Sequence, residues 1–336
     1  MFTQGFCQFS PPLKICLSYI IKIFNFVNSL FENFLNFFII FFMKKKSYIL
    51  GIIVVILWST AASAFKISLR YIDHIQLLFY SIVFSSIFFF SLILIRKNFG
   101  ELKIKKNLNS IFLGFLNPFL YYLILFKSYS ILKGQEALCL NYTWPIWIVI
   151  FSAIFMKNKI YLENIFAIFL SYTGVFIIFT NLKLRNFNIN NYYGSFLALS
   201  SAIIWGIYWV LNVKDKREDN VKLFFNFLFS ILYFFIFIFI KGFNLKLKSI
   251  FYLIGPLYVS LFEMGLTFVL WIKALRISEN STRIANLIFL SPFFSLFLLS
   301  IFANEKILIT TIIGLFFIIS GILINEFFLT KRKNRI

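Results

Sequence analysis

The chain has 336 residues, of which 61% are apolar, 22% aromatic and only 13% charged, against about 25% charged residues in an ordinary soluble domain. Its net charge of +21 does not indicate a nucleic-acid binder, because the Lys and Arg lie in short segments between apolar runs of the ~20 residues that a bilayer span requires. A β-barrel would read as short alternating segments instead, so the expected class is an all-α polytopic membrane protein folded as one bundle.

Residues 1–42 fall outside the pattern of the rest. The stretch CLSYIIKIFNFVNSLFENFLNFFIIFF is apolar but interrupted by Lys22, Glu32 and several Asn. Met43-Lys44-Lys45-Lys46 reads as the true beginning of a membrane protein, so 1–42 is expected to be a non-native or poorly structured extension; the alternative is an extra amphipathic or spanning helix. Ten transmembrane helices follow, at roughly 47–65, 75–95, 109–127, 136–156, 163–181, 195–213, 222–240, 251–271, 283–302 and 308–328. The first imitates a signal peptide, with a basic start and Ala62-Ser63-Ala64 at its end, but the repeat described next requires it as a permanent span. With Met43 in the cytoplasm, Lys and Arg favour the cytoplasmic loops by about two to one. Both termini are therefore expected in the cytoplasm, and residues 329–336, containing KRKNRI, form a basic tail there.

The chain repeats itself. Trp58 in ILWSTAA corresponds to Trp205 in IIWGIYW, Pro145 in YTWPIW to Pro292 in FLSPFF, and Gly174 in SYTGVFI to Gly321 in IISGILI, all at one spacing. Asn117 and Lys127 match Glu263 and Lys273 at one residue less. The halves, 43–181 and 195–328, hold five spans each. Five is odd, so the two copies face opposite ways across the membrane. Such inverted repeats characterise secondary transporters with a site near the midplane. Pro145 and Pro292 are expected to bend the symmetry-related fourth and ninth spans, because proline leaves a backbone carbonyl without its donor. Within a membrane this is tolerated where protein or water satisfies that carbonyl.

These residues carry a family resemblance. VVILWSTAASAFK resembles the first helix, and QEALCLNYTWPIWIVIFSAIFMKNKI the fourth, of EamA-type members of the drug/metabolite transporter superfamily; IIWGIYWVLNVK and LSPFFSLFLLSIFANEKI resemble the second copy. The likeness covers roughly residues 44–328. It implies two EamA modules around a central cavity, export or exchange of small metabolites, and a monomer or loose homodimer. LWST and NYTWP look most like bacterial aromatic amino-acid exporters. The loop MKNKIYLEN lacks the GE pair common after the fourth helix, whereas its counterpart ANEKI keeps Glu305.

Candidate site residues follow from cost and spacing. Glu263 is a carboxylate inside a span, which is expensive and by default functional; it is either a proton or cation coupling site or a neutral carboxyl that joins helices. Thr267 and Trp271 follow it at four-residue intervals and would share its face, with Asn117 and Tyr121 forming the matching face on the third span. Trp58, Trp144, Trp205 and Tyr208 form either an aromatic cavity or packing against lipid and neighbouring helices. Asn141 either caps the backbone loosened by Pro145 or binds solute. Arg283, at the start of the ninth span, needs an anion: Glu279, a lipid phosphate or a substrate carboxylate. Ser59 to Ser63 are small enough to let helices approach closely.

No catalytic or cofactor pattern is present in the sequence. There is no GxxxxGK[ST], HExxH or CxxC segment. Cys7, Cys16 and Cys139 show no metal-like spacing, and the lone His74 is expected to be a solvated loop residue. The expectation is a transporter in the cytoplasmic membrane that moves a small-molecule solute, perhaps an amino acid, by alternating access without cofactor, metal or nucleic acid. Spans one, three, four, six, eight and nine would hold the solute. The rivals are a membrane enzyme acting on a lipid-linked substrate, which the short, carboxylate-poor loops disfavour, and a non-transporting subunit of a membrane complex.

Overall fold

A computed structural model describes residues 46–97, 102–157, 161–180, 189–278, 284–285 and 287–333; the N-terminal segment 1–42 lies outside them. The described chain is helical without strands and forms ten apolar helices: α1 (Lys46–Ser68), α2 (His74–Arg96), α3 (Asn109–Ile131), α4 (Gly134–Met156), α5 (Leu162–Thr180), α6 (Ile189–Lys214), α7 (Asp219–Lys241), α8 (Ile250–Arg276), α9 (Leu287–Phe302) and α10 (Ile309–Lys333). Seven contain apolar stretches of 23–27 residues, enough for a hydrocarbon core of about 30 Å. Their outward faces carry bare Phe169, Phe239 and Phe316, a surface that suits lipid and would aggregate in water.

The packing shows how the halves interlock. α1 lies against α8 and α9 of the second half, and its counterpart α6 lies against α3 and α4 of the first. α2 packs on α8 as α7 packs on α3, while α2 meets α7 and α5 meets α10. These contacts map onto one another, or onto themselves, when the two five-helix copies are exchanged. The cations at the helix ends follow the same rule. Arg70, after α1, donates to the Ala303 carbonyl at the end of α9, and Lys214 of α6 donates to Phe155 O near the end of α4 at 3.0 Å. Each places a positive charge where the helix dipole is negative.

The interruptions recur too. α3 carries a π-helical segment at Phe115–Leu120, and α8 carries one at Ser260–Gly265. In α4 the first half ends at Asn141 and a new helix starts at Trp144 with Pro145 in its first turn; in α9 a 3-10 turn, Leu287–Leu290, precedes Ser291 and Pro292. Each proline thus opens a helical half, where a missing N–H costs nothing, rather than bending the middle of a continuous helix.

α5 and α10 meet through small residues. A Cβ added at Gly174 would strike the Gly314 carbonyl, and one at Gly321 would strike Ser171 Oγ and Ala167 O. Gly174→Leu is therefore expected to destabilise the protein by about 1–3 kcal/mol through overpacking, read as a lower melting temperature in detergent; an unchanged melting temperature would contradict the packing.

His74 is not the solvated loop residue expected. It begins α2 with its side chain 12% exposed beside Asp73, 3.0 Å away, because Asp73 and Gln76 form a capping box that fixes the turn. At the other end of the bundle Asp215 accepts from the Arg217 side chain at 2.9 Å and from its backbone amide at 3.1 Å. Burial pushes the Asp215 carboxyl up, but the Arg217 bonds and charge, with Lys222, hold it below its ordinary value. A depressed folded pKa stabilises the fold above the unfolded value of about 3.9 and ceases to do so as pH falls through the folded one. Asp215→Asn is expected to cost on the order of 1 kcal/mol at pH 7, solvent screening included, and less at pH 3, below the unfolded value of about 3.9. A melting-temperature gap unchanged between these pH values would overturn this account.

Candidate functional site

A cavity of about 360 Å³ lies between the two halves. Its described lining comes from α1, α3, α4, α6, α8 and the α9 region, three from each copy. Of the residues singled out in the sequence, Trp58, Tyr121, Asn141, Trp144, Trp205, Glu263 and Trp271 line it, as does Pro145. The cavity runs from Val213, 65% exposed, to a closed end at Phe65 and Tyr129, which are 3% and 2% exposed.

Glu263 sits in the π-helical turn of α8. Tyr122 of α3 donates to its Oε1 at 3.1 Å, and Trp58 Nε1 of α1 donates to its backbone oxygen at 3.3 Å. Glu263 of the second copy is thus tied to two helices of the first, through its carboxyl by Tyr122 and through its backbone by Trp58. Trp58 meets Trp271 edge to face at 5.5 Å, and Tyr121 lies over Trp205 at 4.5 Å. Phe268 touches Trp58, Trp205 and Trp209. The result is an apolar aromatic wall around one carboxylate.

Other predicted residues lie elsewhere. Asn117 does not share a helical face with Tyr121. Its backbone is extended (φ −146°, ψ 124°) ahead of Pro118, and the residue, 1% exposed, lies beside Tyr208. Asn226 Nδ2 donates to the Tyr208 hydroxyl, at 3.3 Å. Asn117 and Tyr208 therefore form a polar knot joining α3, α6 and α7, outside the cavity lining. Thr267 turns back into its own helix and donates to the carbonyls of Glu263 and Phe262 at 2.9 and 3.1 Å. The wider π turn breaks the four-residue stacking expected of Glu263, Thr267 and Trp271. Pro292 is buried at the start of the second part of α9 and is not in the lining. Arg283 lies outside the described residues.

Asn141 neither caps the Pro145 turn nor keeps its amide free. Its Oδ1 accepts from the Tyr121 hydroxyl at 3.4 Å and its Nδ2 donates to Ser201 Oγ at 2.9 Å, tying α4 to α3 and α6. In α1, Ser59 lies 3.2 Å from Ser291, and Thr60 accepts from the Tyr258 hydroxyl at 2.7 Å. The small stripe of α1 thus brings α8 and α9 close. Tyr122, Trp209 and Ser201 escaped the sequence reading. Each acquires its place from a partner on a distant helix, which no local spacing signals.

Beyond the buried end, Glu305 of the α9–α10 loop accepts from the backbone amides of Gly134 and Gln135 at 2.6 and 3.1 Å. Gln135 returns two bonds to that loop, to Lys306 O and from Leu308 N, at 2.9 and 2.8 Å. Lys66 donates to the carbonyls of Tyr129 and Leu132 at 2.9 and 2.8 Å. The start of α4, the end of α3 and the end of α1 are held together there.

Comparison with known proteins agrees with this architecture. The description EamA-like transporter family matches twice, over residues 45–180 and 192–327. An uncharacterized transporter of Archaeoglobus fulgidus is 22% identical over 83% of this chain and 97% of its own. The uncharacterized transporter YoaV of Bacillus subtilis is 24% identical over 84% and 98%. A solved crystal structure shares the fold, with a TM-score of 0.61 at 17% identity over 85% of this chain and 98% of that one. The two family matches, the interlocked five-helix halves and the cavity between them have one conclusion: the chain is a multi-pass membrane transporter and belongs to the EamA-like transporter family.

Proposed function

We propose that the protein is a secondary transporter of the cytoplasmic membrane, with both termini in the cytoplasm, that moves a small organic metabolite by alternating access. The amino acids are the first class to test, by export or exchange. The observation that carries this reading is a cavity lined by three helices of each copy, in which a carboxyl of the second copy, Glu263, accepts from Tyr122 of the first. A solute seated there touches both copies, so rocking one against the other changes which end it reaches. Trp58, Tyr121, Trp144, Trp205 and Trp271 supply the contact surface, Asn141 holds the wall in register, and Glu263 couples the movement to a proton or cation. Pro145 and Pro292 shape the helical halves that move, while Asn117, Tyr208 and Thr267 act behind the wall.

The test is solute flux from liposomes containing the full chain, loaded with a panel of amino acids and related metabolites, with and without a pH gradient. Saturable efflux supports the reading. A folded protein that moves no member of a broad panel sinks it.

A further inference from the structure

We propose that the solute is an organic cation, an amine carried on an aromatic or apolar body, with its charged group placed between Glu263 and the surrounding aromatic faces. This rests on the transport reading and puts amines without a carboxylate in place of the amino acids as the class of substrate.

The argument is an inventory of charge. Among the described lining residues Glu263 is the charged one, and no Lys, Arg or His is present. Trp58, Trp271, Tyr121, Trp205 and Trp209 complete the wall. The face of an aromatic ring is electron-rich and attracts a cation within about 6 Å of its centre, so rings and carboxylate favour the same sign. Trp58 is held against the Glu263 backbone by its N–H bond, and its edge-to-face contact sets Trp271 beside it. Tyr121 and Trp205, paired at 4.5 Å, form the neighbouring wall.

The same inventory disfavours a solute carboxylate. It would face Glu263 with no described lining cation to offset the repulsion. Several neutral donors near it are already engaged. The Tyr122 hydroxyl is on Glu263 Oε1, the Trp58 N–H on the Glu263 backbone and the Asn141 amide on Ser201. The volume of about 360 Å³ is at the small end for ligand pockets, which suits one ring with a short arm.

Three compounds with one phenyl ring and an arm of two or three carbons separate charge from shape: phenethylamine, phenylalanine and phenylacetate, a cation, a zwitterion and an anion at neutral pH. Binding to the purified full-length protein would be measured by titration calorimetry, and flux of the same three in liposomes. Phenethylamine is expected to bind more than about tenfold tighter than the other two. Glu263→Gln is expected to erase most of that preference, and Trp271→Leu to weaken phenethylamine more than phenylacetate. Equal or tighter binding of phenylalanine or phenylacetate overturns the proposal, and so does a preference that survives Glu263→Gln. Saturable flux of another solute, with phenethylamine neither bound nor competing, overturns it while leaving the transport reading intact. No saturable flux of any panel member by folded protein overturns both.

Discussion

Replacing Glu263 by Gln is expected to lower gradient-driven efflux by about 100-fold or more while leaving the fold intact. A coupling group that no longer takes up and releases a proton or cation leaves the gradient without its handle, and a 100-fold loss corresponds to about 2.7 kcal/mol. Gln keeps an amide oxygen where Glu263 Oε1 accepts from Tyr122 at 3.1 Å, and the Trp58 bond goes to the backbone, so both structural contacts persist. Only the charge is lost. The two sequence-level readings of Glu263 therefore separate cleanly. A coupling carboxylate predicts lost flux at nearly constant melting temperature, whereas a helix-joining carboxyl predicts flux close to that of the native protein.

The second large effect is expected at Glu305. Its carboxylate caps the first two amides of α4, beyond the cavity lining. Hydrogen bonds to a charged group are worth ~1.5–3 kcal/mol each, and the helix N-terminus adds to the attraction. Glu305→Ala leaves both amides without their acceptor and the loop held to the start of α4 by the Gln135 side chain alone, so it should favour conformations open at that end. A cysteine at Leu138, which lines the cavity near Phe65 and Tyr129, then becomes the reporter. Its reaction with a membrane-impermeant thiol reagent is expected to accelerate by about 10- to 100-fold, the equivalent of ~1.4–2.7 kcal/mol. A lower melting temperature with no change in labelling would make Glu305 a helix cap and nothing more.

Both predictions use residues that the sequence marked to different degrees. Glu263 stood out because a carboxylate is costly in a span, and that cost needs no structure to be read. Glu305 was visible as the residue retained in the second copy, but its partners are backbone amides on a helix far away in the chain. Backbone groups have no sequence signature, so the latch was invisible. Asn117 shows the opposite failure. Its four-residue spacing to Tyr121 was read as a shared face, yet the neighbouring Pro118 interrupts α3 and turns Asn117 toward Tyr208. A π turn did the same to Thr267. Spacing arguments assume an unbroken helix, and these two helices are broken at corresponding places.

The sequence by itself determined the membrane class, the ten apolar helices and the five-helix repeat, because hydropathy and periodicity are summed along the chain and survive local irregularity. The tertiary structure alone decided which of those residues face the cavity, that Tyr122 holds Glu263, that Asn141 is a tie between helices, and that one end is latched. These depend on distances between helices remote in sequence, and on a rotation of roughly 100° per residue that a single extra residue in a π turn is enough to shift.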